Sequence, residues 1–138
     1  MLDPGVLVSA LITPSGPPAV LWREACAGHH DLAASPHLLA ELAEVLHREK
    51  FRRYVSVEEA DRFVAEVAQL ADPLAADTAV TPGATPDPDD DYLVALARTT
   101  AADAIVSGDR GLLGASTNDL PVLTPRQVVE RGATGDTG

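Results

Sequence analysis

A chain of 138 residues has room for one domain with a single hydrophobic core, which excludes a second catalytic module or a long repeat array. Hydrophobic residues make up 46% and charged residues 22%, a folded globular composition and too apolar for general disorder. Ten Lys plus Arg against 21 Asp plus Glu give a formal net charge of -11, so any nucleic acid must be gripped by a local patch and not by bulk positive charge.

Cys26 is the only cysteine, which excludes an intramolecular disulfide and a thiolate zinc cage, fits a reducing cytoplasm, and reads as a small core residue. The apolar run from Val6 to Ile12 is too short to span a bilayer and follows no basic stretch, so neither a signal peptide nor a membrane anchor is expected.

Strand-like and helix-like segments alternate, the pattern of an α/β fold in which helices cover both faces of a parallel sheet. The first strand is Met1 to Asp3, unusually short, leading into a helix over Val6 to Ile12 and, after Thr13-Pro14-Ser15-Gly16, a second over Pro17 to Ala27. Asp31 to Ala34 reads as the second strand. Ser35 as N-cap and Pro36 at the first helical position open a third helix to about Arg48. Ser56 and Glu59 form a capping box for a helix through about Ala71. Pro82, Gly83, Pro86 and Pro88 make Thr81 to Asp90 a loop, which delivers Asp87, Asp89, Asp90 and Asp91 to the start of a helix over Tyr92 to Ala101. A buried strand over Ala104 to Ser107 ends in Gly108-Asp109, and a short strand follows over Pro121 to Leu123. Thr124-Pro125 opens a last helix to about Arg131, so residues 1–131 form one domain and Gly132 to Gly138 a frayed tail.

Ligand sites in open parallel sheets lie outside the carboxyl ends of the strands. Asp3, Asp91 and Asp109 fall there from three chain positions. On the third helix Leu38, Leu39, Leu42, Val45 and Leu46 form an apolar stripe; at ~100° per residue Glu41 lies about 90° from its centre, and Glu44 about 150° away in solvent. Clustered carboxylates repel unless a proton or a hard cation relieves them, and magnesium or manganese is the natural guest. The same acids could instead only cap helices and solvate loops.

Leu2-Asp3 before Val6-Leu7-Val8-Ser9-Ala10-Leu11, Ser35-Pro36 running to Leu39-Ala40-Glu41-Leu42, Asp87-Pro88-Asp89-Asp90-Asp91 and Ser107-Gly108-Asp109 occur in an order that resembles the PIN-domain proteins, and among them the toxin components of toxin–antitoxin systems. Phe51-Arg52-Arg53 and Leu123-Thr124-Pro125 resemble that branch too. The resemblance covers about residues 1–131. It implies a three-layer α/β/α sandwich with a central parallel sheet, and an endoribonuclease dependent on Mg2+ or Mn2+, with Asp3, Glu41, Asp91 and Asp109 as the catalytic, metal-holding acids. An RNA substrate, a cognate antitoxin protein and a homodimer are implied as partners; Asp89 and Asp90 are read as helix caps, with contact of one of them to an outer water of the site as the alternative. Two departures stand out: Pro4 and Gly5 occupy the places of the family's hydroxyl residue and Asn, and only Met1 and Leu2 precede Asp3, so the first strand is either cut short, which would predict reduced stability, or misassigned at its start. A PIN fold relaxed into a binding module is the alternative these departures suggest.

Arg48, Lys50, Arg52 and Arg53 read either as a phosphate-guiding patch for RNA or as cations complementing a helix C-terminus. An antitoxin's acidic segment could also dock there. His29, His30 and His37 are assigned no role, and Trp22 reads as core or dimer contact. A phosphoacceptor receiver domain lacks a suitably placed lysine, Lys50 being the only one, and a haloacid-dehalogenase-like phosphatase would need an acid where Gly5 stands.

Overall fold

The computed structural model describes residues 1–135, in which seven α-helices surround a small parallel sheet. The helices are α1 (Pro4–Ile12), α2 (Pro17–Cys26), α3 (Pro36–Leu46), α4 (Val57–Leu70), α5 (Asp91–Thr99), α6 (Arg110–Gly114) and α7 (Pro125–Gly135); the strands are β1 (Ile105–Val106) and β2 (Val122–Leu123). Most start on a local signal. Pro4, Pro17 and Pro36 open α1, α2 and α3 in the first turn, where the missing N–H has no partner to lose, and the Ser56 and Glu59 side chains bond each other's backbone N–H at the start of α4.

β1 and β2 pair in parallel, Ile105 opposite Val122 and Val106 opposite Leu123. On the other edge of β1, Leu2 makes a single parallel bridge to Val106. Val106 N–H donates to the Met1 carbonyl at 2.7 Å and Asp3 N–H to the Val106 carbonyl at 3.0 Å, while the Met1 ammonium donates to the Ala104 carbonyl at 2.9 Å. Asp3 and the residues after Val106 therefore leave the sheet at the same edge.

The sheet is narrower than the expected central parallel sheet. Pro4 has no N–H to offer and α1 begins there, so the first segment pairs through one residue. Asp31 to Ala34 is not a strand; its Ala34 carbonyl accepts from Ala75 N–H at 2.9 Å instead. The five-residue helix α6 was not expected from the sequence. The last helix runs past Arg131 to Gly135, so the expected tail from Gly132 lies within it that far, and residues 136–138 lie outside the described residues.

The core joins α1 (Val6, Leu7, Val8), α3 and α5 to the sheet. Leu38, Leu42 and Leu46 recur every fourth residue on α3, and Ala60, Phe63 and Val67 on α4 pack with them. Trp22 is half-buried against Phe63, ring centroids 4.8 Å apart. Cys26 is exposed at the end of α2, against the expectation of a core residue. Among the described residues no single helix is long and apolar enough to cross a membrane.

Candidate active site

Asp3 is the N-cap of α1, its Oδ1 accepting Val6 N–H at 2.8 Å, and only 6% of its surface is exposed. Pro4 and Gly5 suit this geometry: Pro4 takes the first helical position, and a Cβ at residue 5 would lie at an ordinary 3.6 Å from Asp3 Oδ1. Burial pushes the Asp3 carboxyl above the usual carboxylate range; hydrogen bonds from Ser107 and Val6 oppose the shift, and the charges of Asp109 and Glu41 add to it.

Asp109 is the N-cap of α6, accepting Leu112 N–H through Oδ2 at 2.9 Å, and its own N–H donates to Ser107 Oγ at 3.0 Å. A Cβ on Gly111 would come within 3.2 Å of that Oδ2, so glycine gives the carboxylate its room. Glu41 lies half-buried at the edge of the α3 stripe and Glu44 is exposed, as their angles predict. Glu41 Oε2 accepts the Tyr92 hydroxyl at 2.5 Å.

Asp90 completes the group. Its carboxyl is pushed up to about 6, first by burial and then by the charges of Asp87, Asp109, Glu41 and Asp3. Asp3 and Asp90 thus both feel the charges of Glu41 and Asp109, near the edge where the strands end.

The structure does not bring Asp91 into this group. Asp91 is 3% exposed, and its Oδ1 accepts from Thr85 N–H and Thr85 Oγ, each at 2.8 Å, while Oδ2 accepts from Gly83 N–H at 3.1 Å. These bonds hold its carboxyl below the usual range, the Thr85 side chain contributing most. The physical reason is the turn Pro88–Asp90, a single 3-10 turn that leaves neighbouring acids pointing to different sides of the α5 N-terminus. The resemblance implies Asp91 at the site and leaves Asp90 as a cap or as a contact to an outer water. A run of acids carries no signal that separates the two.

A family model described as the PIN domain matches residues 1–111. The chain belongs to the PIN-domain family. No curated protein and no solved structure matches it. PIN domains are typically nucleases that use divalent metal ions, and the matched span takes in Asp3, Glu41, Asp90 and Asp109. The donor set suits such an ion: carboxylate oxygens, with neither thiolate nor imidazole among them, are the ligands of a hard cation, and their mutual repulsion is what a cation relieves. Among the described residues no three of these side chains are drawn to coordination distance.

The basic residues of the PIN domain divide. Arg48, Lys50 and Arg53 are exposed on the turn after α3; Arg48 lies 3.6 Å from Glu44, Lys50 stands over the Phe51 ring and Arg53 over the Tyr54 ring. Arg52 turns inward, donating through Nη2 to the Leu46 carbonyl at the end of α3 with Nε and Nη1 buried, so it closes the helix and is not part of an open phosphate-binding surface. His30 bonds Glu24 at 2.7 Å in solvent, and His37 stacks on Tyr92.

Proposed function

We propose that this PIN domain is a metal-dependent endoribonuclease hydrolysing RNA phosphodiester bonds, the toxin of a toxin–antitoxin pair. The observation that carries the reading is the placement of Asp3 and Asp109 as helix N-caps at the carboxyl edge of the sheet, Asp3 directly after the Leu2 bridge to Val106 and Asp109 just beyond the end of β1. The same reading takes β1, β2 and the Leu2 bridge as the centre of the three-layer arrangement implied by the resemblance.

Asp3, Glu41, Asp90 and Asp109 would hold Mg2+ or Mn2+. Such an ion lowers the pKa of a bound water and offsets charge on phosphate oxygens. Asp3 and Asp109 contribute carboxylates fixed at helix N-caps, which reduces the ordering needed when a cation arrives. Asp90 carries the raised pKa of a group whose charge lacks compensation. Asp91, paired to Thr85 and Gly83, braces the loop that presents Asp90. Arg48, Lys50 and Arg53 lie beyond the helix that carries Glu41 and would guide RNA phosphates, and an antitoxin's acidic segment would compete for them. RNA as substrate, the cognate antitoxin and a homodimer follow from the resemblance to the toxin branch, and the proposed cytoplasmic location from the single cysteine.

The test is incubation with end-labelled single-stranded RNA in Mn2+, Mg2+ or EDTA, with Asp90→Asn exposing contaminating nuclease. Cleavage that needs both the metal and Asp90 supports the reading. A well-folded protein that cleaves none of a varied RNA set in either metal instead supports a PIN fold serving as a binding module.

A further inference from the structure

Tyr92, the second residue of α5, is 7% exposed and donates its hydroxyl to Glu41 Oε2 on α3 across 51 positions of sequence. Its ring lies flat against the exposed His37 ring, centroids 3.8 Å apart and planes 6° from parallel. His37 itself is held by its N–H to Asp77 Oδ1 at 3.3 Å. A buried phenol without an acceptor would carry an uncompensated desolvation penalty, so the bond to Glu41 secures both partners.

We propose that Tyr92 is a positioning residue: its hydroxyl fixes the Glu41 carboxylate for a divalent cation, and His37 covers the ring that carries it. The proposal rests on the metal-dependent reading of the site. The geometry supports it. Glu41 sits on the edge of its helix stripe, where a long side chain is otherwise free to sample several rotamers, and the hydroxyl ties one oxygen while leaving the other without that bond. Outer partners of this kind set the orientation of metal-binding carboxylates, and losing one weakens metal affinity by about 10–100-fold.

The test is Mn2+ binding by titration calorimetry on the full chain, comparing wild type, Tyr92→Phe, Glu41→Gln and the double variant, with melting temperatures alongside. Tyr92→Phe keeps the ring and the His37 stack and removes only the hydroxyl. The expected result is a Kd raised roughly tenfold or more in Tyr92→Phe, and a double variant no weaker than Glu41→Gln alone, because the hydroxyl acts through that carboxylate. An unchanged Kd in Tyr92→Phe, or a loss that adds in full to that of Glu41→Gln, overturns the positioning role while leaving the metal-dependent reading standing. Wild type that binds no Mn2+ overturns both.

Discussion

Asp90 and Asp91 are consecutive in the chain and face different surroundings: Asp90 is partly buried and feels the charges of Asp87, Asp109, Glu41 and Asp3, whereas both oxygens of Asp91 are taken by Gly83 and Thr85. Their substitutions should move stability in opposite directions. Asp91→Ala leaves the buried Thr85 N–H and the Gly83 N–H without their acceptor, the Thr85 hydroxyl keeping the Asp87 carbonyl at 2.6 Å, and lowers the melting temperature. Asp90→Asn removes an uncompensated charge and raises it at pH 7 in EDTA, by roughly 2–5 °C. Thermal melts by circular dichroism distinguish these outcomes, and equal shifts of one sign would contradict the assignment.

The pH dependence follows from the same group. A carboxyl whose pKa is raised on folding stabilises the protein while protonated, below its unfolded value of 3.8, and that contribution is lost as pH rises through about 6. Asp3 is shifted in the same direction. Asp91 has the opposite sign: its pKa is lowered, so its contribution is present above the unfolded value and lost as pH falls. The difference in melting temperature between Asp90→Asn and wild type, measured in EDTA, is therefore expected to be small near pH 4 and largest above pH 6.5. A difference independent of pH would show that the Asp90 charge is not what is relieved.

Gly111 offers a substitution in which stability and activity part. Alanine is the better helix former by about 1 kcal/mol within a helix, but its Cβ would stand 3.2 Å from Asp109 Oδ2 and 3.7 Å from the Pro86 ring. Gly111→Ala is expected to leave the melting temperature nearly unchanged while reducing metal-dependent cleavage severalfold through displacement of Asp109. Parallel melts and cleavage assays check it.

Ser56→Ala removes the side chain that caps α4 and the reciprocal bond with Glu59, both near 3 Å. A loss of about 1 kcal/mol is expected, read from denaturant midpoints, with cleavage by the folded protein unaffected because the cap lies outside the acid group.

The helices were the most legible part of the sequence because their signals are local. Ser35 before Pro36, Ser56 with Glu59, and Thr124 before Pro125 each act within one turn, and the structure starts α3, α4 and α7 there. The exposure of Glu41 and Glu44 followed from helical phase for the same reason. The sheet was harder, since pairing is non-local: nothing within Asp31 to Ala34 reveals that Met1 to Asp3 offers it no ladder. α6, with Gly111 and Gly114 in five residues, has no stripe to read. Asp3, Glu41 and Asp109 were legible as candidates from their places at strand ends and a helix border. Asp90 was not, because the direction of one acid in a run depends on the turn beneath it. The inward course of Arg52 and the exposure of Cys26 likewise depend on tertiary contacts absent from their local sequence.

The most direct measurement of the central claim compares the initial rate of RNA cleavage in Mn2+ by wild type, Asp90→Asn and Asp91→Asn, each confirmed folded at the assay temperature. Loss of cleavage by two orders of magnitude or more in Asp90→Asn, with Asp91→Asn retaining the greater part of the wild-type rate, is the predicted result. Cleavage lost on removal of Asp91 and kept on removal of Asp90 would contradict it.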